Sequence, residues 1–306
     1  MPATPESHSA RYFALLYSAP TERPVLEALF GIEHEVFDSL RAGLDHNVAH
    51  SRLQWWREEC ERAANGRPVH PLTKALVSAL SAAPAGSLSA AQAGLGTQPQ
   101  AVQPQAVGLP GLVGLCGIVD VAIWDLAGAT FETRRELDAY CERWAAGMIE
   151  PLVAPPSPPA SPTPATRTTD WRVLGAAMRE VELLNDFARE AHHGRIRVPL
   201  DELERANVNT SALARPPWPD PLAEQLRARH KALRNNISRI LIDVDGEQQP
   251  ALRGLLVWAT LACRSSQRAE RALPDRLRPG RFDAISDAWF AWRIARQATM
   301  GRFRLN

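Results

Sequence analysis

The chain has 306 residues, 35 of them basic and 34 acidic, for a formal net charge of +1. That length is ample for a sizeable buried core, and the balanced charge gives no global pull toward nucleic acid or an anionic membrane. Arginine is frequent toward the C-terminus, so a local basic surface stays open, and with it peripheral contact with a membrane.

Residues Met1 to Ser9 are polar and carry no apolar signal core. The richest apolar run, Leu109 to Ala129, is broken by Pro110, Asp120 and Asp125 and reads as a buried helix rather than a membrane span. Cys60, Cys116, Cys141 and Cys263 form no CxxC and no Cys/His pair at zinc spacing. They read as reduced, mostly buried thiols of a cytoplasmic protein.

Apolar residues recur at intervals of three and four, and alternating β-branched runs are nearly absent, which predicts an all-α chain. A first helix runs from about Ser9 to Ser18 and ends at Pro20. Thr21 is placed to cap the second, with Pro24 in its first turn. Val25, Leu26, Leu29, Ile32, Val36 and Leu40 form its stripe, and Gly43 marks its end. A third helix spans about Val48 to Ala64 and stops at Asn65-Gly66. His70-Pro71 starts a fourth, to about Ala83.

Residues 85–108 are Ala, Gly, Gln, Ser and Pro with almost no large apolar side chains, and read as a flexible loop. Helices follow at about Leu112–Gly128 and Arg134–Leu152. The proline-rich tract 153–169 reads as extended and solvated. A long helix, about Trp171 to His192, is closed by Gly194. A short one at about Leu200–Ala206 precedes three longer ones, at about Pro221–Leu241, Pro250–Leu273 and Phe282–Arg302. The expectation is one helical bundle over residues 1–306 with two loop inserts.

Three stretches carry a family likeness. Arg52-Leu-Gln-Trp55-Trp56-Arg57-Glu58, followed by Gly66-Arg-Pro-Val-His70-Pro71, resembles a Leu-x-x-Trp-Arg … Gly-x-Pro-x-His-Pro run of squalene and phytoene synthase relatives. Glu136-Leu-Asp-Ala-Tyr140-Cys141 is similar to that family's Glu-Leu-x-x-Tyr-Cys segment. Leu183-Leu-Asn-Asp186-Phe-Ala-Arg-Glu190, with Gly194-Arg195-Ile-Arg-Val-Pro199, resembles its second aspartate motif and the Gly-Arg-x-Tyr-x-Pro that closes that helix. The first stretch points to a sub-branch that includes bacterial proteins of unproven activity and a mitochondrial complex I assembly factor.

The resemblance implies an isoprenoid-synthase-type helical bundle around a central cavity. Active members join two prenyl diphosphates head to head. They use Mg²⁺ held by carboxylates on two facing helices, because this ion prefers hard oxygen ligands. Carboxylates at i and i+4 share a helix face, so both can reach into a cavity.

This chain departs from that pattern. Reading without gaps from Arg23, the three aspartates of the first motif fall on Phe37, Asp38 and Arg41, and its phosphate-contacting arginine falls on His34. The second motif, Gln-x-x-Asn-x-x-x-Asp-x-x-x-Asp, reads Arg179, Glu182, Asp186, Glu190. The resemblance thus implies catalytic roles for Asp186 and Glu190 and substrate contacts at Tyr140, Arg195 and His34. In an active protein, Mg²⁺ would sit on Asp38, Glu182, Asp186 and Glu190.

Plainer readings stand beside these. Acidic residues at helical spacing also describe a solvated face, and Glu33, Glu35 and Asp38 fit a surface or structural role. Adjacent Trp55 and Trp56 point to different faces of a helix, so one packs and the other is partly exposed. His192-His193 reads as a loop cap. Asp283, Asp287, Trp289 and Trp292 read as ordinary amphipathic packing.

Three functional readings follow. The first is a relative that has lost the two-metal reaction and binds a prenyl or other lipid-like molecule, or a protein partner. The second is a working prenyl transferase with a rearranged acidic cluster. The third is an assembly protein with no ligand, which a cavity filled by side chains would favour.

Overall fold

The computed structural model describes residues 5–41, 43–82, 109–153, 170–275, 280 and 282–305. Twelve α-helices and two short 3₁₀ turns account for its regular structure, and the described residues contain no strand. The helices are α1 (Ala10–Tyr17), α2 (Arg23–Asp38), α3 (His46–Ala64), α4 (Pro71–Ala82), α5 (Cys116–Leu126), α6 (Arg134–Met148), α7 (Glu150–Val153), α8 (Trp171–His192), α9 (Leu200–Arg205), α10 (Asp220–Ile242), α11 (Arg253–Ala272) and α12 (Asp283–Thr299). The loop expected at 85–108 and that expected at 153–169 lie outside the described residues, except that Val153 is helical and closes α7.

Several boundaries differ from expectation for local reasons. Thr21 does not cap α2: Glu22 holds the N-cap position without a side-chain cap bond. The Glu22 carboxylate is used elsewhere, accepting from the backbone N–H of Ala19 and, across the bundle, from those of Gly254 and Leu255 at the start of α11. Four N–H groups at a helix start lack internal partners, so this carboxylate ties α11 to the segment before α2. Helix α2 ends at Asp38, five residues before Gly43. The single helix expected over Arg134–Leu152 breaks into α6 and α7 because Pro151 cannot continue the ladder.

The core is continuous. Helix α8 packs against α6, α10 and α11; α1 lies on α11, α2 on α4, α3 on α5 and α12 on α11. Phe30, Trp258 and Trp144 meet edge to face through its centre, with ring centroids 5.1 Å and 5.9 Å apart. Glycine is required where α5 and α8 meet α6 and the turn after it. A Cβ on Gly117 would lie 2.0 Å from the Arg143 carbonyl oxygen, and one on Gly175 would lie 2.6 Å from Ile149 Cγ1. These contacts let α5 and α8 close on α6 and its C-terminal end.

The most distinctive sequence motif proves to be a staple between α3 and α4. Glu59, fully buried, accepts from the backbone N–H of Val69 and His70, 2.8 Å each, and from the Thr73 hydroxyl. Trp56 is buried against the His70 ring while Trp55 is exposed, as adjacent helical positions require. All four cysteines are free, three of them buried and Cys116 half-buried.

His230 is buried between α10 and α11, its Nδ1 3.0 Å from the Ser266 hydroxyl. Burial, aided by the Arg234 charge, lowers its pKa from 6.5 to about 4. Between those values the unfolded chain binds more protons, so stability falls as pH drops from 6.5 toward 4. The full shift corresponds to about 3 kcal/mol as an upper figure. Urea midpoints measured from pH 7 down should therefore fall less steeply in His230→Gln than in the wild type. Parallel slopes would show that His230 is not buried neutral.

Candidate functional site

The site is built from α1, α2, α5, α6, α8 and the extended segment after α8. Helix α2 buries a wholly apolar stretch, Leu29 to Ile32, and then Glu33. A buried carboxylate needs a cation or several donors. Here α1 supplies Arg11. Its guanidinium donates to both Glu33 oxygens and, on its other side, to Glu182 of α8 at 3.0–3.3 Å. The indole N–H of Trp144 donates to Glu33 at 2.8 Å. Burial works against ionisation of Glu33, but the charges of Arg11 and Arg179 with the Trp144 N–H outweigh it and hold its pKa below the usual carboxylate value.

The pairing continues without a gap. Arg179 donates to Glu182 at 3.0 Å and to the Tyr140 hydroxyl at 3.3 Å, and lies 5.4 Å from the Trp144 ring centre. Tyr140 donates to Asp125 at 3.1 Å. Arg197 donates to Asp125 at 2.7 Å and to Glu190 at 3.3 Å, and Arg195 reaches Glu190 at 3.5 Å. Carboxylates and arginines alternate from Glu33 to Arg195, with the Tyr140 hydroxyl bridging Arg179 to Asp125. Burial pushes the Tyr140 phenol up to about 12, so it stays protonated and acts as a donor in this chain.

Two adjoining cavities open along the network, about 520 Å³ and about 480 Å³ in volume, sharing Ser9, Arg11, Phe37 and Arg179. Both are clefts open to solvent beside the packed rings of Phe30, Trp258 and Trp144. His34 and Glu33 line the first, with Phe30 giving an apolar wall. Glu182, Asp186, Glu190 and Arg195 line the second. Tyr140 is bonded beneath it to Arg179 and Asp125.

Asp38 is not brought to this site. It lines neither cavity and pairs instead with Arg41 and Arg52 on the outer side of α2, 3.2 Å from each. Phe37, which lines both cavities, stands about 100° round the helix from Asp38. The proposed ligand set of Asp38, Glu182, Asp186 and Glu190 thus loses its only member from the facing helix. His193 caps α8, its Nδ1 2.9 Å from the Arg189 carbonyl, in keeping with a loop cap.

The remaining carboxylates do not fit a divalent metal as they stand. Each already faces arginine: Glu182 faces Arg11 and Arg179, Asp186 faces Arg189 at 2.7 Å, and Glu190 faces Arg195 and Arg197. Among the described residues, no three His, Cys, Asp or Glu side chains are grouped to hold a metal ion. The buried polar atoms left without a partner include two donors of this wall, Arg179 Nε and Arg197 Nε. Donors call for an acceptor, not a cation.

Arg11 was not legible as a site residue, because α1 alone is a short amphipathic helix. Glu33 was the available signal: an acid inside an apolar stripe demands a cation from a neighbouring element.

A helical bundle with a central hollow between α2 and α8 defines the class of fold. Residues 113–287 match the sequence model of the squalene/phytoene synthase family, and the chain belongs to that family. Among solved structures, it resembles a dehydrosqualene synthase crystallised in complex with ligand. That match has a TM-score of 0.67 and 15% identity, over 94% of this chain and 92% of that one. It also resembles squalene synthase HpnC from Alicyclobacillus acidocaldarius, with a TM-score of 0.58 and 18% identity, over 85% of this chain and 87% of that one. At these identities the likeness speaks to the fold. No curated protein matches the sequence.

Breaking one member of a buried pair leaves an uncompensated charge, which costs about 3 kcal/mol. Arg11→Met should lose about that much in urea unfolding at pH 7, and adding Glu33→Gln should recover part of it. A loss under about 1 kcal/mol would place Arg11 with ordinary surface ion pairs.

Proposed function

We propose that this chain is a squalene/phytoene synthase relative that has given up metal-dependent ionisation of prenyl diphosphates and keeps its cavity as a binding site for a lipid-like molecule. The observation that carries this reading is the arginine partner on every cavity carboxylate where the reaction needs metal ligands. Phe37 and Arg41 standing at two of the three expected aspartates point the same way. The first cavity offers Phe30 and Phe37 to an apolar chain, and the second offers a polar wall whose charges are already mated. A ligand with a hydroxyl or another small polar head suits such a wall as well as a diphosphate does. The free thiols accord with a cytoplasmic setting.

One observation favours the alternative, an active Mg²⁺-dependent transferase. Asp186 is half exposed, its ion pair among the described residues is with solvent-facing Arg189, and burial together with the acids Glu190 and Glu182 raises its pKa. An exposed pair of this kind is weak, and Arg189 can swing away to free the carboxylate.

The test uses purified protein with farnesyl and geranylgeranyl diphosphate plus Mg²⁺. The expected result is no head-to-head product. Binding, read by tryptophan fluorescence, should be unchanged by a chelator, with farnesol within about tenfold of farnesyl diphosphate, a difference of about 1.4 kcal/mol. A product that disappears in Asp186→Ala, in a variant that still folds, would establish the transferase instead.

A further inference from the structure

Trp289 and Trp292, expected to pack as part of an amphipathic helix, face outward instead. Both are exposed, at 57% and 45%, together with Phe282 at 70% and Ile285 at 68%. The buried side of α12 is made instead by Ala291, Ile294, Ala295 and Ala298, which pack on α11. At 3.6 residues per turn, positions 282, 285, 289, 292, 296 and 300 fall within one arc of about 80°. That arc reads Phe, Ile, Trp, Trp, Arg, Met, and no described element covers it.

We propose that this face of α12 docks the protein onto a membrane surface bearing anionic lipid headgroups. Its charges choose the partner. Arg293 lies over the Trp289 ring at 5.3 Å and Arg296 over the Trp292 ring at 5.6 Å, so each exposed indole carries a cation. Arg302 and Arg304 follow at the exposed end of the helix. The helix's two acids lie on the far side. Asp283 accepts from the Gly280 N–H at 2.7 Å, and Asp287 is held by Arg264 and Arg268. The face is therefore apolar and purely basic.

Indole rings settle at the headgroup level of a bilayer, and arginine stems lie along apolar surface while the guanidinium reaches lipid phosphate. A second copy of this chain is a poor occupant. Pairing the same face with itself brings Arg293 and Arg296 of both copies together with no acid on either side to receive them. The contact is peripheral: no described helix is long and apolar enough to cross a membrane. This surface is distinct from the cavity wall, so the proposal stands apart from the reading of the cavity.

The experiment is sedimentation of the full chain with vesicles of phosphatidylcholine, alone or with about 30% phosphatidylglycerol. Binding to the anionic vesicles should exceed binding to the neutral ones by about tenfold or more and should weaken with added salt. Trp289→Ser with Trp292→Ser should lower that binding about tenfold or more without moving the thermal unfolding midpoint, since neither ring is in the core. Arg293→Gln with Arg296→Gln should remove most of the preference for anionic vesicles. Absence of binding to either vesicle, or undiminished binding by the tryptophan variant, would overturn the proposal. So would a concentration-dependent dimer without lipid that the tryptophan variant abolishes.

Discussion

The arrangement of this bundle depends on one ion cluster, Arg11 held between Glu33 and Glu182. Two consecutive helices, α1 and α2, meet there with α8 from far along the chain. Glu33 is buried, and its ionisation is sustained only by the charges and donors around it. Remove the guanidinium and α2 faces α8 across two carboxylates with Arg179 as their remaining shared counter-charge. The cluster therefore sets the width of the hollow as well as its chemistry.

From that point the wall follows by alternation. Arg179, Tyr140, Asp125, Arg197 and Glu190 each satisfy the next, so the polar lining is close to self-neutral. Such a lining has little free charge to offer a metal ion, although carboxylates are plentiful. Acids at helical spacing do not reveal their partners, because the neutralising arginines come from other elements and a helix pattern does not show them. The distinction between holding acids and holding available acids is what separates a family likeness from a family reaction.

Much of the fold was legible. The 3.6-residue periodicity located the long helices, and proline and glycine marked most of the breaks. What failed was local competition. Glu22 took the N-cap position and spent its carboxylate on α11 instead of capping α2, and Pro151 split a helix that periodicity alone would continue. The candidate site was half legible: Glu182, Asp186, Glu190, Arg195 and His34 do reach the hollow, whereas Asp38 points away to Arg41 and Arg52. Arg11 and Arg197 could not be found from spacing, since their roles exist only once distant helices meet. On α12 the amphipathic pattern was real, but the alanines pack and the tryptophans face out, which residue size alone argues against.

The central claim is that arginine, not a divalent cation, neutralises the carboxylates between the facing helices. Calorimetric titration of Mg²⁺ into the purified protein tests it most directly. The account predicts no saturable binding up to several millimolar, where Kd near 1 mM corresponds to about −4 kcal/mol. A saturable site that is lost in Glu182→Gln or Asp186→Asn would contradict it.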